Sequence, residues 1–195
     1  MTVQQEIETL IRARYPILYL VTSEELRVQS LILEIAQQRQ KKVFEWSYST
    51  GIVPAGTSIQ SQKHRNPATK DPIAALDQVI EQIEPAIFLF KDFHPFLTKN
   101  NFAVTRKLKE IALHLKNSFK TIILVSPVME IPTELEKEVT VLNFPLPTRE
   151  DLAELLDKII AEVKPFKHVK IDLDPAGRER LLQAVKGVTV PGPPD

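Results

Sequence analysis

Short runs of consecutive apolar residues alternate along the chain with longer stretches in which apolar residues recur every three or four positions. The continuous runs are Pro16–Val21, Lys42–Trp46, Ala86–Phe90, Thr121–Val125 and Val139–Leu142. Their four to six residues and β-branched content predict strands buried on both faces. The periodic stretches predict helices. Val3, Ile7, Leu10 and Ile11 form one stripe over residues 3–13. Thr22-Ser23-Glu24-Glu25 has a capping-box pattern, and the helix it opens runs to about Arg39, burying Leu26, Ser30, Leu33 and Ala36 or their neighbours. Asp71 as cap and Pro72 in the first turn open a helix through Ala75, Leu76, Val79 and Ile83. Further helices are predicted from Phe102 to Asn117, from Thr148 to Val163, and from Asp174-Pro175 to about Val185, with a short helical turn at Thr133–Lys137. Residues 48–70 are polar, Pro-containing and aperiodic, and predict an exposed loop.

Apolar strands alternating with amphipathic helices predict an α/β fold of three layers, a parallel five-stranded sheet with helices on both faces. The last two helices have no strong strand between them. The predicted organisation is an α/β core over residues 1–147, a partial helical lid over 148–189 and a disordered tail over 190–195, where Pro191, Pro193 and Pro194 exclude helix.

Composition narrows the function classes. The 195 residues carry 25 Lys+Arg against 25 Asp+Glu, so no net charge draws the chain to nucleic acid or to an anionic membrane. There is no cysteine, which removes disulfides, thiolate nucleophiles and sulfur-ligated zinc. No run approaches the roughly 20 apolar residues of a membrane helix. A cytoplasmic protein is the expectation. Only 5 residues are Gly against 15 Pro, which lowers the prospect of a phosphate-cradling loop.

In open parallel sheets ligands bind beyond the carboxyl ends of the strands. The first such turn, Val21–Glu25, has neither Gly nor Lys, and Glu24 and Glu25 place two carboxylates where a helix start would hold phosphate. Gly51 and Gly56 have the spacing of a phosphate loop, but Thr57 stands in place of its Lys and Pro54 removes a donor. Asp92, just after the third run, stands at a strand end where ATPases built on a parallel sheet hold Mg²⁺, yet Phe93 stands where a second acid would polarise water. Asp92 also reads as a turn cap, and His94 as an acid–base candidate on the same edge. Ser126 closes the fourth run without a nucleophile elbow around it. His64, His114 and His168 lack ligand spacing. The basic groups Lys63-His64-Arg65 and Arg106-Lys107/Lys109 lack interleaved aromatics, so they predict solvated faces rather than a nucleic-acid surface.

Arg12–Ile17 with Thr22–Glu25, Lys91–Leu97, Leu124–Val128 and Phe144–Pro147 together resemble one group of AAA+ proteins. These are the AAA+ ATPase-like proteins of cyanobacteria and the hypothetical reading frames of algal chloroplast genomes, and the likeness spans about residues 5–187. The resemblance implies an AAA+/P-loop NTPase type of sheet in the order 5-1-4-3-2, with Thr148 beginning the lid. It implies that this chain matches the first half of a longer protein, a half without a working phosphate loop, whose second half is the Walker-type module. Asp92 would then match the acidic-motif Asp and Ser126 the polar sensor. Thr22, Ser23, Asp92 and Ser126 are the residues at which nucleotide would bind if any does; otherwise no cofactor is expected, ATP and Mg²⁺ entering only with that alternative. A non-catalytic domain serving assembly, partner recognition or regulation is the leading expectation, with an AAA+ module, another protein or a second copy as partner. Location in a cyanobacterial cytosol or chloroplast stroma, and a part in photosynthesis or inorganic-carbon use, are implied in the same way. The family continues through further lid helices where this chain ends in its proline-rich tail.

Overall fold

A computed structural model describes residues 2–57, 65–98, 100–165 and 173–188. The chain divides into two compact units, Met1–Phe144 and Pro145–Asp195.

In the first unit the elements run α1 (Val3–Arg12), β1 (Ile17–Val21), α2 (Glu25–Gln38), β2 (Lys42–Ser47), β3 (Gly51–Pro54), α3 (Pro72–Glu81), β4 (Ala86–Lys91), α4 (Phe102–Leu115), β5 (Lys120–Ser126) and β6 (Val139–Asn143). The sheet order is β3-β2-β4-β5-β1-β6. Every pairing is parallel except β2 with β3. The five predicted strands are present, in the implied order read from β6 to β2.

Side chains alternate across a strand, so each continuous apolar run splits between two cores. Ile17, Tyr19, Phe88, Phe90, Ile122 and Leu124 pack with Leu76, Val79, Leu108 and Ile111 of α3 and α4. Leu18, Leu20, Ile87, Leu89, Ile123 and Val125 pack with Ile7, Ile11, Val28 and Ile32 of α1 and α2. Each large apolar side chain so buried contributes about 1.5–3 kcal/mol relative to exposure. Tyr19 keeps its hydroxyl satisfied by donating to the Val128 carbonyl at 2.8 Å.

Three sequence expectations are corrected. The sheet has six strands, because part of the predicted 48–70 loop is β3. The glycines with phosphate-loop spacing bound this edge strand instead, in left-handed conformation at φ +72° for Gly51 and +79° for Gly56. A Cβ at Gly51 would lie 2.0 Å from the Asn66 carbonyl, so glycine lets the returning chain close over the hairpin. That returning chain is anchored by Trp46, whose indole N–H donates to the Thr69 carbonyl at 2.7 Å, and by the Ile52 N–H, which donates to Thr69 Oγ1 at 2.8 Å. Second, α2 buries Val28, Ile32, Ile35 and Ala36, while Leu26 is 76% exposed and Ser30 and Leu33 face solvent. Third, α3 stops at Glu81, which leaves Ile83 outside the core. Asp71 caps α3 as expected, accepting from the Ile73 and Ala74 N–H groups.

The second unit comprises α5 (Arg149–Val163) and α6 (Pro175–Val188). Thr148 and Asp151 form a reciprocal capping box at α5, and Asp174 accepts from the Gly177 N–H at α6. Ion pairs Arg149–Glu179 and Arg178–Asp157 join the two helices. The expected tail over 190–195 lies outside the described residues.

Candidate functional site

The carboxyl edge of the sheet brings three of the four expected site residues into one row. The Thr22 N–H donates to the Ser126 carbonyl at 2.8 Å, and the Asp92 N–H donates to the Val125 carbonyl at 3.0 Å. β1 and β4 both flank β5, so their ends hang on the same strand. Ser126 is 2% exposed, its Oγ 2.8 Å from His94 Nδ1 and accepting from the Val128 N–H at 3.3 Å. His94 Nδ1 also lies 4.0 Å from Asp92 Oδ1. Both contacts fall on the same ring nitrogen, so this is not the two-sided arrangement by which a histidine relays a serine proton to a carboxylate. Asp92 adopts φ +51°, a left-handed position that Asp tolerates. Its carboxylate is exposed, and the turn that follows, His94–Phe96, starts from Phe93 without a side-chain cap hydrogen bond.

Thr22 and Ser23 make local backbone contacts at the start of α2. The Thr22 hydroxyl accepts from the Glu24 N–H two residues on, at 3.1 Å, so the expected capping box to Glu25 is replaced by a local turn. The residue at the start of α2 is Glu24, which makes no side-chain cap hydrogen bond. Ser23 is exposed, and its carbonyl accepts from the Glu25 N–H at 3.1 Å.

The position expected for a second acid is structural. Phe93 is 1% exposed and stacks edge-on against Phe90 and Trp46, with ring centroids 5.3 and 5.2 Å away. Phe96 extends the cluster. Aromatic packing fills that point of the edge.

Four residues at this edge escaped the sequence reading as a group. Lys91 Nζ donates to Glu45 Oε2 at 3.1 Å and to Gln29 Oε1 at 2.8 Å. In register Glu45 faces Leu89, so Lys91, two positions on, shares its side of the sheet. A carboxylate inside the run Lys42–Trp46 was the available signal, since a buried charge demands a partner. Glu25 is the fourth. Burial pushes its carboxyl above the usual value; the Lys91 charge opposes this, while the Asp92 and Glu45 charges add to it. A cleft of about 410 Å³ opens here, with Glu25, Glu45, Lys91 and Asp92 in its wall and the hairpin from Trp46 to Thr50 on its other side.

A triphosphate with Mg²⁺ does not fit this donor set. The first turn offers no glycine-lined amides, Lys91, the one cation of the cleft wall among the described residues, is engaged, and Glu25, Glu45 and Asp92 would face the phosphates. Among the described residues no group of three or more His, Asp or Glu is placed to hold a metal. The basic residues of α4 are partly neutralised, Arg106 by Glu110 and Lys107 by Asp77. Lys63, His64 and His168 lie outside the described residues.

An open sheet in this order, with helices on both faces, is of the AAA+ type, and solved structures share the fold. The Caenorhabditis elegans PCH-2 structure superposes with a TM-score of 0.59 at 12% identity, covering 95% of this chain and 58% of that one. The FIGL-1 AAA domain in complex with ADP gives 0.56 at 13% identity, covering 94% and 59%. Residues 3–144 match the family described as SpoVK-like AAA ATPase, N-terminal domain, and the chain belongs to that family. It is 31% identical over 194 residues to an uncharacterized AAA domain-containing protein ycf46 of Trieres chinensis, covering 97% of this chain and 36% of that protein. The corresponding protein of Guillardia theta is 33% identical over 162 residues, covering 82% and 30%. The chain thus spans about a third of the length of these curated relatives.

Proposed function

We propose that the first unit is a non-catalytic AAA+-like domain serving assembly, partner recognition or regulation of an AAA+ ATPase module, with Thr148 beginning a partial lid. The observation that carries this reading is the first strand–helix turn. Glu24 and Glu25 stand where a phosphate loop would place glycines and a lysine, and the Glu25 carboxyl is already pushed up by burial and by neighbouring negative charge. A fold kept with its two cores filled, but with an edge that repels phosphate, is suited to docking rather than turnover. The length of the relatives and their description as AAA domain-containing proteins support a working module elsewhere in such proteins. Among the described residues no helix is long and apolar enough to cross a membrane. Action in a cyanobacterial cytosol or chloroplast stroma, in photosynthesis or inorganic-carbon use, belongs to the same proposal.

The test is association. Purified chain is mixed with a full-length relative and followed by light scattering and co-purification. A stable complex that raises or lowers the relative's ATP turnover is the expected result; a strictly monomeric chain without effect on turnover overturns the reading. A second reading, an ATPase domain with an atypical site at Thr22, Ser23, Asp92 and Ser126, draws on the hydrogen bonds that align three of these residues. It predicts hydrolysis by the isolated chain that Asp92→Asn abolishes.

A further inference from the structure

The opposite edge of the sheet, where β1 and β5 begin, holds a second concavity. A pocket of about 250 Å³ lies between the ends of α1 and α2 and the start of β5. Its wall includes Arg12, Arg14, Arg39, Lys41 and Lys120 and, among the described residues, no acidic one. Such a concentration is notable in a chain of zero net charge.

Part of this charge has a structural explanation. Arg12 in the last turn of α1 and Arg39 at the end of α2 complement the helix dipoles, and Arg39 also pairs with Glu8 at 3.1 Å. Lys120 is fully engaged, its ammonium donating to the Val79, Ile80 and Gln82 carbonyls at 2.8 Å each. Arg14 and Lys41 are different. They lie beyond the helices, and neither they nor Arg12 form a salt bridge among the described residues.

Both are nevertheless held in place. The Arg14 guanidinium sits over the Phe119 ring, 4.4 Å from its centroid, and Lys41 Nζ donates to the Phe119 carbonyl. Arg14 itself adopts φ +60°, and Gln40, directly before Lys41, adopts φ +51°. A left-handed non-glycine residue is strained, and such strain persists only where the surroundings enforce it. Here the two strained turns carry two cations, without a salt bridge among the described residues, to the wall of one pocket. Burial and the Arg14 charge together lower the Lys41 pKa, as expected where positive charge lacks a counterion.

We propose that this pocket binds a phosphate group, carried by a small molecule or free, through Arg12, Arg14 and Lys41. Guanidinium forks match phosphate oxygens bidentately, and a lysine adds a point charge. A small cationic cluster suits a compact dianion, whereas a nucleic-acid strand needs an extended basic track. The site is separate from the carboxyl edge and does not depend on the function proposed there.

The experiment is amide-resolved NMR titration of the chain at low ionic strength with inorganic phosphate and, in a parallel arm, glucose 6-phosphate. Saturable shifts centred on residues 11–15, 39–41 and 118–121 are expected, and the tighter arm identifies free phosphate or ester as the better ligand. Arg14→Asn, which tolerates the left-handed backbone, and Lys41→Gln should each weaken binding by about tenfold or more. The Arg106→Gln/Lys109→Gln double variant on α4 should leave it unchanged. Lys41→Gln, outside the strained position, gives the reading if Arg14→Asn does not fold. Absence of saturable shifts up to about 10 mM in both arms, shifts centred on 22–25, or binding unaffected by Lys41→Gln would overturn the proposal.

Discussion

Lys91 and Glu45 form a nearly buried ion pair of 3.1 Å at the carboxyl edge, with side-chain exposures of 15% and 10%. The pair occupies the one cation of the cleft wall among the described residues, and Gln29 accepts a further hydrogen bond from the same ammonium. Removing one partner of such a pair leaves a stranded charge. Lys91→Met should therefore cost about 3 kcal/mol of stability, and the Lys91→Met/Glu45→Leu double variant should recover most of it. Urea denaturation of the set checks this; a double variant as unstable as the sum of the two singles would contradict it.

Lys120 performs a different task with a similar group. Its ammonium closes the carboxyl end of α3 by satisfying three carbonyls. Lys120→Met should lose about 2–3 kcal/mol, because buried carbonyls are left without donors. A loss below about 0.5 kcal/mol in thermal or urea melts would show that water replaces the ammonium freely.

Phe93 separates packing from chemistry. Phe93→Leu keeps an apolar residue in the aromatic cluster and should cost about 1–2 kcal/mol, whereas Phe93→Glu buries a carboxylate and should cost more than about 4 kcal/mol or prevent folding. Circular dichroism melts distinguish the two. A stable Phe93→Glu chain would mean that this position can accept the acid an ATPase would need.

Glu25 gives a pH dependence with a definite sign. Its carboxyl is raised above the ordinary 4.5, so the folded chain holds a proton that the unfolded chain releases. The associated stability is fully present below 4.5 and is lost as pH rises through the raised folded value. Glu25→Gln should therefore be more stable than the parent at pH 7, with the difference vanishing as pH falls below 4.5. Parallel denaturation curves across this range measure it. A difference independent of pH would remove Glu25 from the electrostatics of the edge.

The sheet was legible because a strand covered on both faces has no polar alternation to disguise it, as Ile17–Val21 and Lys120–Ser126 illustrate. β3 was not, because four residues bounded by glycines and ending in Pro54 pair with one neighbour only, and a Ser- and Thr-rich stretch surrounds them. The buried face of α2 was misplaced because Leu26 and Leu33 offer a second stripe beside Val28, Ile32 and Ile35, and only packing against the sheet chooses between them. At the site, the missing glycines and lysine of the first turn were readable directly. The Lys91–Glu45 pair was not, because it depends on which strands are neighbours and in what register.

The carboxyl edge states the central claim most sharply, and calorimetric titration of the chain with ATP and Mg²⁺ tests it most directly. The carboxylates of Glu25, Glu45 and Asp92, the engaged Lys91 and the glycine-free turn predict no saturable heat up to about 1 mM nucleotide. Binding at micromolar concentration would contradict the account.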